Sequence, residues 1–277
     1  MLRTLLAVVV TWGGLALWAQ PQPQPKQPRV RSPKEGQAIQ AISISYQAGD
    51  FDGAIKAAEE LLNSFADTEF KGFALQMEVL AYQQKDDFEK MLLVGERALE
   101  VDGDNVVVLI TLAQAIPQRT REFDLDKEEK LGKADKFARK AQTLIPNLPK
   151  HNPQISDEDW GSYKRGAMAQ AHESVGMVAF VRKDYAGAEK SFRTAAEVSP
   201  QVDANIFFRL GMALSAQNKA DDAIQALDKA IAAGGVQVGG KDLAKEQKAA
   251  LEKAKAAGAK PAAPAAPAAP PVEIKRP

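Results

Sequence analysis

The chain has 277 residues, no cysteine, and equal numbers of basic and acidic residues, 36 of each. The absence of cysteine excludes disulfide bonds and thiolate metal sites, and the zero net charge gives no support to nucleic-acid binding or to an acidic, disordered tail. A low aromatic content of 6%, together with abundant alanine, favours helices over sheets.

The beginning of the chain is typical of a secretory signal peptide, residues 1–19. Arg3 precedes an apolar run from about Leu5 to Trp18, which is too short and too interrupted by glycine for a comfortable membrane span. We expect cleavage after Ala19 and therefore an exported protein, either periplasmic or secreted. The alternative is a membrane anchor, if the same segment stays uncleaved. Because no cysteine lies next to the cleavage site, a lipoprotein anchor is excluded.

Proline-rich segments flank the rest of the chain. Residues 20–34 read QPQPQPKQPRVRSPK, and residues 258–277 repeat a Pro-Ala-Ala unit. Proline removes backbone donors and favours an extended polyproline conformation, so both segments are predicted to be spacers. Residues 35–257, between them, are predicted to be a helical region whose short helices are bounded by Gly, Asp, Asn and Pro.

Two stretches late in the helical region repeat with a spacing of 35 residues. Each contains two amphipathic helices joined by a polar turn, RKDY in the first stretch and QNKA in the second. The matching positions are Gly176 with Gly211, Ala188 with Ala223, Phe192 with Leu227, Ala195 with Ala230, and Pro200 with Gly235. In this pattern of small residues, a large residue between them and a terminal proline, the chain resembles the tetratricopeptide repeat family.

The resemblance implies packing roles for these residues. Gly176 and Ala188 would mark the close crossing of the two helices of one repeat, and Ala195 would leave room for the next repeat. Phe192 would fill the space between these close approaches, and Pro200 would end the second helix. The corresponding residues of the following repeat are Gly211, Ala223, Leu227 and Ala230.

Over the whole helical region, the resemblance implies an all-α solenoid of five helix pairs, wound as a right-handed superhelix. The predicted repeats are residues 35–68, 72–105, 106–146, 156–200 and 204–235, followed by a capping helix at 242–257. The spacing from Ala113 to Ala134 exceeds the family spacing by about nine residues, so an insertion is predicted to lengthen the turn of the third repeat. Ser156 with Asp159 predicts the start of an extended first helix in repeat four, and Asp242 is predicted to cap the last helix.

In this family the first helix of each repeat lines a concave binding surface. Carrying those positions onto this chain gives the predicted groove residues Tyr46, Phe73, Gln76, Leu80, Ile110, Gln114, Glu173, Met177, Phe180, Asn205, Phe208 and Met212. Their apolar character favours a partner peptide or an amphipathic helix; the alternative is that superhelical packing, the extended helix or the tails bury them. The Lys, Asn and Arg clamp of chaperone-binding members is absent, because Ile39, Gln76 and Glu173 stand at the corresponding sites.

Catalysis, metal binding and cofactor binding are not predicted. The two histidines, His151 and His172, lack a second histidine at helical spacing, and acidic stretches such as DLDKEEK lack the spacing of calcium loops. The chain has no P-loop, no dinucleotide-binding glycine pattern and no nucleophile elbow. We therefore expect a non-catalytic scaffold or adaptor of the cell envelope that binds a protein, and neither nucleic acid nor a small-molecule cofactor. The alternatives are a self-assembling structural element and an accessory subunit of a cell-wall or secretion enzyme complex.

Overall fold

The computed structural model describes residues 28–150 and 152–258. The predicted signal peptide, most of both proline-rich spacers and His151 lie outside these residues. Within them the chain forms eleven α-helices, a short 3-10 helix at Ile145–Asn147 and a small hairpin of strands β1 (Gln237–Val238) and β2 (Lys241–Asp242). The helices are α1 (Pro33–Ala48), α2 (Phe51–Ser64), α3 (Lys71–Gln84), α4 (Phe88–Val101), α5 (Val106–Arg119), α6 (Lys127–Leu144), α7 (Asp157–Val181), α8 (Tyr185–Val198), α9 (Ala204–Ala216), α10 (Ala220–Ala232) and α11 (Leu243–Ala256).

The ten helices α1 to α10 pack as five consecutive pairs. Each odd-numbered helix packs against the even-numbered helix that follows it, and each pair then packs against the next. The first helices α1, α3, α5 and α7 also contact one another in succession and so form an inner layer. The second helices of the pairs form the outer layer. The predicted all-α helix-pair solenoid is therefore confirmed for the described residues.

Three of the five turns within pairs use the same capping device. Asp50, Asp87 and Asp184 each precede a second helix and accept a hydrogen bond from the backbone N–H three residues later, at 2.8, 3.2 and 2.9 Å. The residue before each aspartate has a positive φ of 79°, 56° or 65°. The sequence triplets GDF, DDF and KDY mark these turns, because a left-handed residue ends the first helix and aspartate starts the second.

Most of the predicted repeat-packing residues lie in the core. Ala188, Phe192, Ala195, Ala223, Leu227 and Ala230 are all 0% exposed. A Cβ atom on Gly176 would lie 2.5 Å from Cε1 of Phe192, and one on Gly211 would lie 2.8 Å from Cγ of Leu227. Each glycine therefore makes room for the large residue of the second helix. A Cβ on Gly211 would also lie 3.3 Å from the backbone oxygen of Ala223, the residue predicted to approach it closely. Pro200 is exposed and follows the end of α8 at Val198.

The inserted residues of the third repeat are divided between a turn and a helix. The connection between α5 and α6 covers residues 120–126, and α6 has 18 residues where α4 has 14. The prediction had assigned the whole insertion to the turn. In repeat four the predicted extension is confirmed, because α7 has 25 residues and Ser156 Oγ accepts from the N–H of Asp159 at 3.0 Å.

The end of the solenoid is closed by α11, which begins at the predicted cap. The Asp242 carboxylate accepts from the N–H of Ala244 at 3.0 Å and from the N–H of Val236 at 3.2 Å. The second bond ties the capping helix to the hairpin before it. The hairpin itself was not predicted, although Gly239 and Gly240, with φ of 57° and 78°, supply the two positive φ angles that such a turn needs.

Candidate partner-binding groove

Within the inner layer, helix α3 has one side that is partly exposed to solvent along its length. Phe73, Gln76, Met77, Leu80 and Gln83 are half-buried and recur at intervals of three and four residues, so they share one side of the helix. The opposite side of α3 is packed into the core. Of these five residues, Phe73, Gln76 and Leu80 belong to the predicted groove.

The exposed face continues onto the neighbouring inner helices. On α5, Val107, Gln114 and Gln118 are half-buried and lie on one side of the helix, and Asn105 Nδ2 donates to Gln76 Oε1 of α3 at 2.9 Å. On α1, the half-buried Tyr46 ring packs edge-on against Phe51, with centroids 5.5 Å apart. We call this surface the open groove. Its residues are Tyr46, Phe73, Gln76, Met77, Leu80, Gln83, Val107, Gln114 and Gln118.

Half of the predicted groove residues do not belong to an open surface. Ile110, Glu173, Met177, Phe180, Phe208 and Met212 are each at most 6% exposed. Met177 and Phe180 of α7 pack with Phe208 and Met212 of α9 in one hydrophobic cluster, which fills the inner side of repeats four and five. For these residues the alternative interpretation, burial by packing between repeats, is correct. Asn205, at the start of α9, is half-buried.

The buried position of Glu173 has a specific explanation. Its carboxylate accepts a hydrogen bond from the Arg209 guanidinium, and both residues are 6% exposed. Burial of either charge alone would be strongly unfavourable, so each requires the other. The pair joins α7 of repeat four to α9 of repeat five. Glu173 stands at a position where chaperone-binding members of the family carry a clamp residue. In this chain the residue at that position instead forms a buried ion pair.

A second buried carboxyl lies behind the open groove. Glu78 of α3 is 2% exposed, and its Oε1 has no hydrogen-bond partner within the described part of the chain. Burial raises the pKa of Glu78 to about 7, although Arg97 of α4 acts to lower it and Glu59 of α2 acts to raise it further. Glu78 lies on the side of α3 opposite the groove, so its charge affects stability rather than contacting a ligand.

Charge is distributed unequally between the two layers, a feature that the sequence contains but that the repeat pattern alone did not bring out. The inner helices α3 and α5 read KGFALQMEVLAYQQ and VVVLITLAQAIPQR, so their charged residues are Lys71, Glu78 and Arg119. None of these lines the open groove. The outer helices, such as α4 and α8, carry charged residues throughout, and the open groove is therefore neutral.

The described residues contain no group of three or more histidines, cysteines or carboxylates that could hold a metal ion. His172 contacts Gln142 Nε2 through Nδ1 at 3.2 Å, and burial lowers the pKa of its imidazole. Among the described helices, none is both long and apolar enough to cross a bilayer. The open groove is formed by half-buried aromatic, aliphatic and amide side chains.

Comparison with known proteins gives structural matches alone. No protein-family model and no curated protein sequence matches the chain. The fold is similar to a thermophilic TPR protein of Thermus thermophilus, with a TM-score of 0.52 and 17% identity over 79% of this chain and 99% of that one. MamA AMB-1 gives a TM-score of 0.47 with 16% identity, over 74% of this chain and 94% of its own. A tetratricopeptide repeat protein from Parabacteroides merdae gives 0.35 with 14% identity, over 80% and 100%.

The first of these similarities agrees with the succession of helix pairs in the described residues. Sequence identity at this level establishes a shared architecture and says nothing about a shared ligand. The described part of the chain therefore has the helix-pair solenoid fold of tetratricopeptide-repeat proteins.

Proposed function

We propose that this protein is a non-catalytic scaffold that binds a partner protein in the open groove. The observation that supports this most directly is the half-buried face of α1, α3 and α5, where Tyr46, Phe73 and Leu80 remain partly exposed to solvent. A preformed surface on packed helices binds with little loss of conformational entropy on the scaffold side. The buried residues of repeats four and five then act as support for the groove rather than as contacts.

We also propose that the protein acts in the cell envelope, after export directed by residues 1–19. The support is the sequence pattern of Arg3, the apolar run and Ala19. N-terminal sequencing of the protein from fractionated cells tests this. A mature chain that begins at Gln20 in the envelope or the medium supports export, and an intact Met1 in the cytoplasm contradicts it.

Two matched leucine variants test the groove. Leu80 lies in the open groove, whereas Leu93 is 62% exposed on the outer helix α4. We would immobilise the mature protein, Leu80→Lys and Leu93→Lys, capture proteins from the envelope fraction, and repeat the binding with each captured protein in purified form. Circular dichroism of both variants must first match that of the wild type.

The proposal predicts a partner that the wild type and Leu93→Lys retain and that Leu80→Lys loses. Equal retention by the two variants would contradict docking in the groove. A mass that increases with concentration in the absence of any partner, and that Leu80→Lys abolishes, would assign the groove to self-assembly instead.

A further inference from the structure

The open groove is unusual for this chain because it carries no charge. Of all residues in the chain, 26% are charged, yet the groove residues are aromatic, aliphatic or amide side chains. On the two helices that supply most of the groove, Lys71 is the first residue of α3, Glu78 is in the core, and Arg119 is the last residue of α5, where it pairs with Asp86. On α1, which supplies Tyr46, the charged residues Lys34 and Glu35 lie in the first turn, at the other end of the helix. A charged ligand side chain would therefore meet no opposite charge along the groove.

The amide groups in the groove are available for binding. The side chains of Gln83, Gln114 and Gln118 make no hydrogen bond to another described residue, and Gln76 uses its Oε1 on Asn105 while its amino group stays free. A glutamine amide both donates and accepts hydrogen bonds. These side chains can consequently bind the N–H and C=O groups of a main chain that is not engaged in a helix or sheet of its own.

Apolar side chains lie between these amides. Phe73 and Leu80 are separated by about two turns on α3, with Gln76 between them, and Val107 precedes Gln114 by two turns on α5. Successive side chains of an extended segment point in opposite directions. A segment lying along the groove would therefore place alternate side chains against the apolar positions while the amides reach its main chain.

We propose that the open groove recognises an extended protein segment without charged side chains, and that it excludes acidic and basic segments. This inference rests on the proposed function, since it names the class of partner for the same groove. Exclusion follows because a carboxylate or ammonium group entering the groove loses water and gains no counter-charge. Since no ion pair forms across the interface, binding depends little on salt concentration.

Three pools of synthetic peptides test the inference against the full mature protein. Each peptide is about 12 residues long, enough to extend over ~40 Å, and carries randomised Ser, Thr, Gln, Val and Leu positions. One pool is uncharged, the second has two central glutamates and the third has two central lysines. Retention is measured at about 50 and about 500 mM NaCl. The Debye length is longer than its physiological value at the lower concentration and shorter at the higher one.

Two glutamine variants provide the control. Gln114→Glu places a negative charge in the groove, and Gln225→Glu places one on the exposed outer side of α10. We expect the wild type and Gln225→Glu to retain about tenfold more of the uncharged pool than of either charged pool, at both salt concentrations. Gln114→Glu should shift the preference to the lysine pool, and salt should weaken that new binding.

The outcomes separate this inference from the function on which it rests. If the wild type prefers a charged pool, and this preference falls with salt, the inference is wrong while groove binding stands. If no pool binds, but the captured partner still depends on Leu80, recognition of an extended uncharged segment is again overturned and docking stands. If the pools bind equally to the wild type and to Leu80→Lys, both the inference and the proposed function fail.

Discussion

Replacing the buried carboxyl behind the groove should change how stability depends on pH. Glu78 has a pKa of about 7 in the folded chain against an ordinary value of 4.5, because it is buried without a partner for Oε1. The folded state thus holds its proton more tightly than the unfolded state, and stability is lost as pH rises from about 4.5 to about 7. A pKa difference of this size corresponds to about 3 kcal/mol above pH 7.

About 1 kcal/mol of this loss is already present at pH 5.5, so about 2 kcal/mol develops between pH 5.5 and 8.5. In Glu78→Gln the uncharged amide removes the loss, and any constant cost of burying the amide is the same at both pH values. Urea unfolding followed by circular dichroism at the two pH values measures the difference. Glu60→Gln, on the exposed side of α2, is the matched control. Stability curves for Glu78→Gln and the wild type that run parallel with pH would refute the reasoning.

Three further changes test the packing. Gly176→Ala forces a Cβ against Phe192 and should cost about 1–3 kcal/mol, measured as a lower urea midpoint; an unchanged midpoint would show that the ring can move aside at no cost. Glu173→Ala leaves Arg209 buried and unpaired and should cost about 3–5 kcal/mol, and replacing both residues by apolar ones should recover much of it. If the double variant lost as much free energy of unfolding as the two single variants together, the pairing would be contradicted. Asp242→Ala removes the cap of α11 and should cost about 1 kcal/mol. Amide exchange should then increase in α11 first, and uniform protection would argue against a local role.

The repeat architecture could be predicted from sequence because it depends on local and periodic features. The aspartate caps recur in three of the five turns within pairs, and the glycine opposite a large residue recurs in the last two repeats at a spacing of 35 residues. The buried small residues were identified correctly, but the prediction did not bring out what lies nearest to the glycines. A Cβ on Gly176 would lie closest to the Phe192 ring, because a side chain leans along the helix and covers a neighbouring turn.

The candidate groove was predictable in its position but only partly in its exposure. A register assigns Met177 and Leu80 to the same kind of position, yet Met177 is 1% exposed and Leu80 is half-buried. Met177 packs with the large side chains of Phe208 and Met212 on the next inner helix, α9, in one hydrophobic cluster. Such contacts between repeats are not encoded in the periodicity of either helix. The uneven distribution of charge between the layers, by contrast, was readable in the sequence from the start.

The long helix α7 contributes side chains to the hydrophobic clusters of both halves of the array. Its residues Val178 and Val181 belong to the cluster that contains Leu75 of the groove helix, while Met177 and Phe180 belong to the cluster of the last two repeats. Linear arrays whose repeats contact only their neighbours can unfold in parts. Here the two halves share one helix, so melting either half exposes apolar surface of the other. Repeats four and five, whose inner side is filled by packed side chains, are therefore expected to make the unfolding of the groove-bearing repeats more cooperative.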